Sequence, residues 1–170
     1  KYSDMQDFCI MWENATVDKD ITDVFYSRIW PYWVDWYLTD DRYLVIDNKP
    51  VITICSYSTF KKNFGGTEEG VKEVVEFMDA ECKKLGYDGV IIMFCDNLKN
   101  EEVAKDIKSI GTDAVISYTL GEMSYDVQYS KDGMNKYFDF GKNGGVTFLP
   151  SVGMGFNDIG WHGGRTPLAT

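Results

Sequence analysis

Short apolar runs alternate with helix-like segments along this chain, and that alternation constrains the fold more than any other feature. Five runs are too short for helices, at residues 7–12, 51–55, 89–94, 114–118 and 146–149. The first run is continuously apolar, as in a strand that a parallel sheet buries on both faces. Segments with helical spacing separate the runs, as in strand–helix–strand crossovers. The pattern predicts an α/β fold with about five parallel strands.

The connection after the second run carries the clearest helix signals. Thr67 is a good N-cap, and acidic residues follow it at the positive end of the helix. One apolar stripe at helical spacing contains Val71, Val74, Val75, Met78, Cys82 and Leu85. Lysines occupy the last turn and Gly86 ends it. Similar signals predict a shorter helix between Asn100 and Gly111.

The remaining connections are less regular. Residues 24–38 have aromatic side chains near helical spacing despite Pro31, which is expected either to start a second helix or to kink one. Residues 47–50, with the sequence DNKP, are expected to form a turn, and residues 56–66 a loop. Another helix is expected around residues 125–138.

No repeat, low-complexity tract or Pro/Gly-rich linker divides the 170 residues. The chain is therefore expected to be a single domain, residues 1–170. An eight-unit barrel usually needs about 250 residues, so five units correspond either to an open sheet or to part of a barrel. A partial barrel leaves two sheet edges unpaired, which predicts that this piece forms an edge-strand dimer or aggregates when made alone.

Charge and motif content exclude several classes of partner and cofactor. The net charge of −10 repels nucleic acid and anionic membrane surfaces. No apolar stretch approaches the ~20 residues of a membrane span. His162 is the only histidine, so a multi-histidine metal site cannot be built. Phosphate-binding glycine motifs and a GxSxG elbow are absent, and no cofactor or metal is expected.

The four cysteines have neither the spacing of a zinc site nor that of a thioredoxin-like motif. Cys9, Cys55 and Cys95 lie inside apolar runs, which favours buried free thiols over disulfides. Disulfides stay an alternative, so the cysteines leave the redox compartment open.

Polar and aromatic residues follow the predicted strands. The carboxyl ends of parallel strands meet at one edge of a sheet, where loops converge on ligands. Carboxylates and amides bind sugar hydroxyls, and aromatic faces stack on the C–H surface of a sugar ring. Each residue alone has a simpler structural explanation, but their clustering at one edge predicts a carbohydrate-binding site. Its candidate residues are Trp12, Glu13, Asn14, Tyr57, Asp96, Tyr118, Glu122, Asp158, Trp161 and Arg165.

Glycosidase chemistry needs two carboxyl groups, one as proton donor and one as base or nucleophile. Glu13 and Glu122 are the only glutamates at predicted strand ends, with Asp96 and Asp158 as aspartate candidates. No defined spacing pairs these four side chains, so the residues themselves assign no catalytic pair.

Three parts of the sequence resemble glycoside hydrolase family 99-like proteins. Residues 148–158 (FLPSVGMGFND), followed by residues 161–165 (WHGGR), are similar to the P-S-V-G-P-G-Y-x-D stretch of endo-α-mannosidases. Residues 40–52 (DDRYLVIDNKPVI) resemble the D-x-R-Y-x-x-I-D-G-K-P-V element of the wider 99-like group, which includes WbsX-type glycosyltransferases. Residues 86–94 (GYDGVIIMF) look like the family's G-F-D-G strand.

The resemblance implies a partial TIM-type (β/α)8 barrel in which the five strands are the third to the seventh. In that family, the last strand carries an N-E-W-x-E segment whose two glutamates perform the hydrolysis of the glycosidic bond. This sequence has no such segment, so the enzyme assignment is open and the catalytic residues are unknown. The resemblance also implies an exported protein, extracellular or periplasmic.

Some binding positions carry over from the family. Glu13 falls where the family has a strand-end glutamate that faces substrate. Tyr57 falls at an aspartate–serine–tyrosine strand end, where Cys55 replaces the aspartate. Asp158 and Arg165 match the loop after the P-S-V-G strand. The resemblance therefore implies a carbohydrate partner, an oligosaccharide or glycan.

Three functions compete at this point. The first is a carbohydrate-active enzyme that hydrolyses glycosidic bonds in its complete form, and the resemblance favours it. The second is a non-catalytic sugar-binding or scaffold domain. The third is a WbsX-like glycosyltransferase of polysaccharide biosynthesis, which needs a nucleotide-sugar or lipid-linked donor. Asp18 and Asp20 form a D-x-D pair, but solvated charge or helix capping explains that pair better than metal binding.

Overall fold

A computed structural model of the chain describes residues 6–95, 100–112, 114–117 and 127–150. Its strands are β1 Ile10–Trp12, β2 Val45–Ile46, β3 Lys49–Ile54, β4 Ile91–Phe94, β5 Ala114–Ile116 and β6 Thr147–Leu149. Five of them form a parallel sheet in the order β1-β3-β4-β5-β6, and β2 pairs antiparallel with β3. The prediction of an α/β fold with five parallel strands is therefore confirmed.

The order of the parallel strands follows the chain from one edge of the sheet to the other. One row across the sheet consists of Trp12, Ile54, Phe94, Val115 and Phe148. Four residues of this row belong to the hydrophobic core beneath the helices, and Trp12 packs against that core. The next row, which faces the other way, consists of Met11, Thr53, Met93, Ala114 and Thr147. The helices that the structure describes thus lie against one face of the sheet.

A continuous helical segment, residues 22–38, connects β1 to β2. Its α-helical turns and π-helical turns alternate as α1 Thr22–Val24, π1 Phe25–Ile29, α2 Trp30–Trp33 and π2 Val34–Leu38. Pro31 lies in the first turn of α2, directly after π1. The backbone is helical on both sides of Pro31, so the expectation that it starts a second, separate helix is not met, and one helical segment continues through it.

The turn predicted at residues 47–50 is confirmed as the tip of a β-hairpin. Asp47 and Asn48 have φ values of 49° and 55°, which are typical of the two central residues of a type I′ turn. The strand before the turn, β2, was not expected, because two residues are too few to show an alternating pattern.

The expectation of a loop at residues 56–66 is wrong, because Tyr57–Asn63 forms the helix α3. Ser56 caps it, and its Oγ accepts a hydrogen bond from the backbone N–H of Thr59 at 3.3 Å. Tyr57 and Phe60 are buried. Tertiary packing therefore stabilises a helix that is too short to be stable by itself.

The longer helices are α4 Glu68–Lys84, α5 Glu101–Ser109 and α6 Val127–Gly144, as expected. Thr67 Oγ1 and Asn100 Oδ1 each accept a backbone N–H of the first turn, at 3.1 and 3.0 Å. Gly86 follows α4 with a φ of 96°, as its role as a stop requires. The predicted apolar stripe of α4 is buried as far as Cys82. Leu85 is 39% exposed, because it is the C-cap and lies beyond the packed face.

The burial of the cysteines follows their position relative to the sheet. Cys82 and Cys95 are buried, and Cys55 is half-buried. Cys9 is an exposed free thiol, so the prediction that it is buried is wrong. It precedes β1 at the edge of the sheet and alternates with Ile10 onto the face away from the described helices.

Candidate functional site

The carboxyl ends of neighbouring strands lie side by side at one edge of the sheet. The backbone N–H of Cys55, after β3, donates to the carbonyl oxygen of Trp12 at the end of β1 with a distance of 2.9 Å. The N–H of Cys95, after β4, donates to the carbonyl oxygen of Ile54 at 2.7 Å. Four predicted site residues, Trp12, Glu13, Asn14 and Tyr57, are thereby brought to neighbouring strand ends.

Trp12 points from the end of β1 into the face that the helices cover. Its ring stacks on Phe25 with a centroid distance of 5.8 Å, and it meets Trp33 and Phe60 edge-on at 5.6 and 5.9 Å. Aromatic contacts of this kind stabilise a core beyond the area that they bury. Trp12 therefore anchors the end of β1, which differs from the ligand contact expected from the sequence.

The Asn14 side chain is fully buried and joins the loop after β1 to α3. Its Nδ2 donates to the Ser56 carbonyl oxygen at 3.0 Å and to Asn63 Oδ1 at 3.4 Å. Its Oδ1 accepts the Ser56 N–H at 2.9 Å. Asn63 donates in turn to the carbonyl oxygens of Val17 and Lys19 at 2.7 and 2.9 Å. Buried amides with this many partners fix backbone, so Asn14 positions the strand-end loops.

Asn63 is a residue that sequence reasoning missed. It is fully buried, but the expectation of a loop at residues 56–66 hid its position on a helix. Tyr57, Phe60 and Asn63 recur every three residues after a capping serine, and that spacing is the signal that could have identified it.

Glu13 presents an exposed carboxylate at the end of β1. Its Oε1 accepts the backbone N–H of Ala15 at 3.0 Å, and its Oε2 lies 3.5 Å from the Thr16 hydroxyl. These contacts orient the carboxylate and leave lone pairs for a ligand. Among the residues that directly follow the described parallel strands, Glu13 is the only carboxylate.

The nearby D-x-D pair serves the loop itself. Asp20 Oδ1 accepts the Thr22 N–H at 2.9 Å and the Thr22 hydroxyl at 2.7 Å. These hydrogen bonds lower the pKa of Asp20. Asp18 pairs with Lys62 of α3 at 2.7 Å. Both aspartates therefore act in the capping and solvated-charge roles expected for them.

Tyr57 is the first residue of α3 and is only 8% exposed. Its ring meets Phe94 of β4 edge-on at 5.2 Å. Burial, with smaller contributions from the charges of Asp106 and Glu68, raises the pKa of Tyr57 to about 12. The hydroxyl oxygen is buried, so Tyr57 packs into the core at the start of α3 and is not open to a ligand.

The other predicted site residues lie outside the residues that the structure describes. They are Asp96, Tyr118, Glu122, Asp158, Trp161 and Arg165. They stay predictions from the sequence.

A shallow cleft of about 320 Å³ lies elsewhere, between α4, the start of β4 and the turn after α5. Its apolar floor includes Val75, Val90 and Ile110, and its rim includes Asp79. Asp79 accepts the Val90 N–H at 3.2 Å and pairs with Lys83 at 2.6 Å. Because the cleft lies toward the amino ends of the strands, it is separate from the predicted strand-end site.

The described ranges contain neither a metal-ion site nor a membrane-spanning helix. There, no three histidine, cysteine, aspartate or glutamate side chains form a group that could hold a metal ion. None of the helices described combines the length and the apolar composition that crossing a membrane requires.

Comparison with known proteins adds no assignment to this geometry. No protein-family model matches the chain, and no curated protein matches it.

Proposed function

We propose that this chain is the third to the seventh strand unit of a (β/α)8 barrel similar to glycoside hydrolase family 99. In the complete protein, that barrel hydrolyses glycosidic bonds. The observation that carries the proposal is the strand order of the sheet, because that order is compatible with part of a barrel and agrees with the three family-like sequence segments.

The winding supports a barrel over the other common parallel architecture. A doubly wound sheet reverses its strand order once and has helices on both faces. Here the parallel strands follow chain order from β1 to β6. The described helices pack on the face that contains Ile54 and Phe94. In a barrel, such helices form the outer ring and the opposite face of the strands turns inward.

The strand-end edge suits a neutral, hydroxyl-rich ligand. The Glu13 carboxylate is exposed and oriented by Ala15, and a carboxylate is a strong acceptor for sugar hydroxyls. Tyr57 lies one strand away, where its buried ring packs against Phe94 and supports this edge. Asn14 holds the two loops in place through Ser56. Glu13 therefore binds the glycan, and Asn14 and Tyr57 hold the edge that presents it.

The test is glycan binding by the 170-residue chain, measured by calorimetry with an α-linked mannotriose. Glu13→Gln keeps the size and one acceptor oxygen but removes the charge. We expect it to weaken binding about tenfold, since hydrogen bonds to charged groups contribute roughly 1.5–3 kcal/mol. The matched control is Glu73→Gln, which removes an exposed glutamate in the middle of α4.

Equal affinities for Glu13→Gln and Glu73→Gln would contradict the strand-end site. A chain that binds mannotriose and maltotriose equally well would have a sugar site at this edge that does not select mannose. If neither sugar binds at millimolar concentration, the carbohydrate proposal for this edge fails.

A non-catalytic sugar-binding or scaffold domain is the second candidate. It needs only the strand-end edge, where Glu13 is the only carboxylate directly after a described parallel strand, whereas glycosidase chemistry needs two carboxyl groups. A WbsX-like glycosyltransferase stays the third possibility. Binding without hydrolysis by the complete encoded protein would select the second candidate.

A further inference from the structure

Two aromatic side chains of the helical segment at residues 22–38 point outward. Trp36 is 67% exposed and Tyr32 is 50% exposed, whereas Trp30 and Trp33 are almost fully buried. The Tyr32 and Trp36 ring centroids are 6.0 Å apart and their planes are inclined by 32°. Exposing such large rings forfeits the free energy that their burial would give, about 25 cal/mol for each Å². An exposed pair at low tilt is therefore a feature that requires an explanation.

The local winding of the helix assembles these rings. The π2 turn closes with an i→i+5 hydrogen bond, so it brings residues five apart toward the same face. Tyr37 thereby joins Tyr32, and their rings meet edge-on with centroids 5.7 Å apart. Single π-helical turns within α-helices often occur at functional sites. Tyr32, Trp36 and Tyr37 together are named the aromatic platform.

The aromatic platform is fixed to the body of the protein. Tyr37 meets Phe8 edge-on at 6.4 Å, and Phe8 meets the buried Tyr43 at 5.5 Å. The guanidinium of Arg42 lies over the Phe8 ring at 5.7 Å. A hydrogen bond with Tyr32 raises the pKa of Tyr37. Because the rings are already held in place, little free energy is lost in ordering them when a ligand stacks on them.

The platform lies at the opposite edge of the sheet from Glu13. The helix begins at the carboxyl edge, where the Ile21 N–H donates to the Asn63 carbonyl oxygen at 3.0 Å. It ends at the amino edge, where the Tyr87 hydroxyl donates to the Leu38 carbonyl oxygen at 2.6 Å. Fifteen residues of helix, from position 22 to 36, separate the two edges by on the order of 20 Å.

We propose that the aromatic platform is a second glycan-binding surface, on which sugar rings stack outside the strand-end site. Beside the exposed Pro31, the exposed residues near the rings include the polar Arg28, Asp35 and Thr39, which can bind sugar hydroxyls. The net charge of −10 disfavours anionic ligands that also stack, such as single-stranded nucleic acid. A protein interface needs about 800 Å² per partner around an apolar core. The Tyr32 and Trp36 rings instead have exposed polar residues beside them.

The inference goes beyond the proposed function because it concerns another surface, although the ligand class is shared. The test is affinity electrophoresis of the 170-residue chain in gels that contain α-mannan, dextran or β-glucan. We expect retardation by at least one polysaccharide and an apparent affinity about tenfold lower for Trp36→Ala. Trp36→Phe should keep part of the affinity, because a flat ring remains.

Two control variants separate this result from other causes. Val24→Ala removes another exposed apolar side chain from the same helix and should leave the retardation unchanged. Glu73→Gln, which removes an exposed charge from α4 and lies outside both proposed sites, should also leave it unchanged. Failure of the mannotriose titration alone would remove the proposed function and leave the platform intact.

Unchanged retardation of Trp36→Ala would overturn the platform, as would the absence of retardation in all three gels. Sedimentation velocity tests the remaining explanation, which is that the rings form an interface between proteins. If Trp36→Ala changes the association state of the chain and not its retardation, the rings form an interface between proteins, and the glycan proposal is wrong.

Discussion

At the scale of single residues, two buried amides decide how the strand ends are held. Asn14 and Asn63 are both fully buried, and each bonds to backbone from a different segment of the chain. A buried polar group costs free energy unless it is paired, and these groups are paired. The same amides that stabilise the loops therefore set the position of Glu13.

Replacing Asn14 tests this role directly. Asn14→Ala leaves the Ser56 N–H and carbonyl without their amide partner, so we expect a loss of about 2 kcal/mol in the free energy of unfolding. Urea denaturation measures the loss. Thr16→Ala is the control, because Thr16 is exposed and makes only a 3.5 Å contact with Glu13. Equal stability of the two variants would show that the amide network contributes little.

Tyr57 predicts a dependence of stability on alkaline pH. Its pKa is raised from 10.0 to about 12, chiefly by burial. Between these values, the unfolded chain releases a proton that the folded chain retains, so folding becomes less favourable as pH rises. The contribution is fully present below pH 10 and is lost toward pH 12. Denaturation midpoints across this interval should fall less steeply for Tyr57→Phe than for the unmodified chain.

At the scale of elements, helix packing depends on a close approach of α5 and α6. A Cβ on Gly144 would collide with the Cβ of Ala104 and lie 2.9 Å from its carbonyl carbon. Ala104 is fully buried, so neither helix can yield without moving backbone. Gly133, in the same helix, has open space at its Cβ position.

The two glycines of α6 therefore respond to alanine in opposite directions. Gly144→Ala should lower the free energy of unfolding by about 1–3 kcal/mol, because it overpacks the contact with α5. Gly133→Ala should raise it by about 0.5–1 kcal/mol, because alanine is the better helix former. Thermal or urea unfolding of both variants checks the pair. A stabilised Gly144→Ala would mean that the two helices are farther apart than described.

Elements with local signals were predictable and elements fixed by distant contacts were not. The caps Thr67 and Asn100 identified the starts of α4 and α5, because an N-cap bonds to a backbone N–H only two or three residues later in the sequence. Helix α3 escaped prediction because its stability comes from the burial of Tyr57 and Phe60. The π turns also escaped prediction. Apolar spacing shows that a segment is helical, but it does not show which carbonyl oxygen each backbone N–H contacts.

At the scale of the whole molecule, the sheet is the feature that links fold to function. The parallel fold was predictable, because alternation of apolar runs and helices is a global property of the sequence. Of the candidate site, the sequence placed Trp12, Glu13, Asn14 and Tyr57 at neighbouring strand ends, but it could not show which of them faces a ligand. Burial separates Glu13, which is exposed, from Asn14 and Tyr57, which are buried. A polar or aromatic side chain near a strand end can face either the core or solvent, and only the fold decides between them.

The prediction of self-association rests on the exposed edges of the sheet. Within the described strands, β1 and β6 are the terminal members of the parallel order. Met11 and Leu149 at these edges are 45% and 39% exposed. Exposed edge strands invite pairing with another chain. Dimers or larger species in light scattering are therefore expected, and a stable monomer would count against the partial-barrel proposal.

The most direct test of the central claim is the coding sequence on the carboxyl side of Thr170. The account predicts that it continues into one more strand unit, whose end carries two glutamates three residues apart. Those glutamates would then be the targets for mutagenesis in a hydrolysis assay. A coding sequence that stops near Thr170, or that continues without such a pair, would contradict the glycosidase assignment and leave a sugar-binding domain.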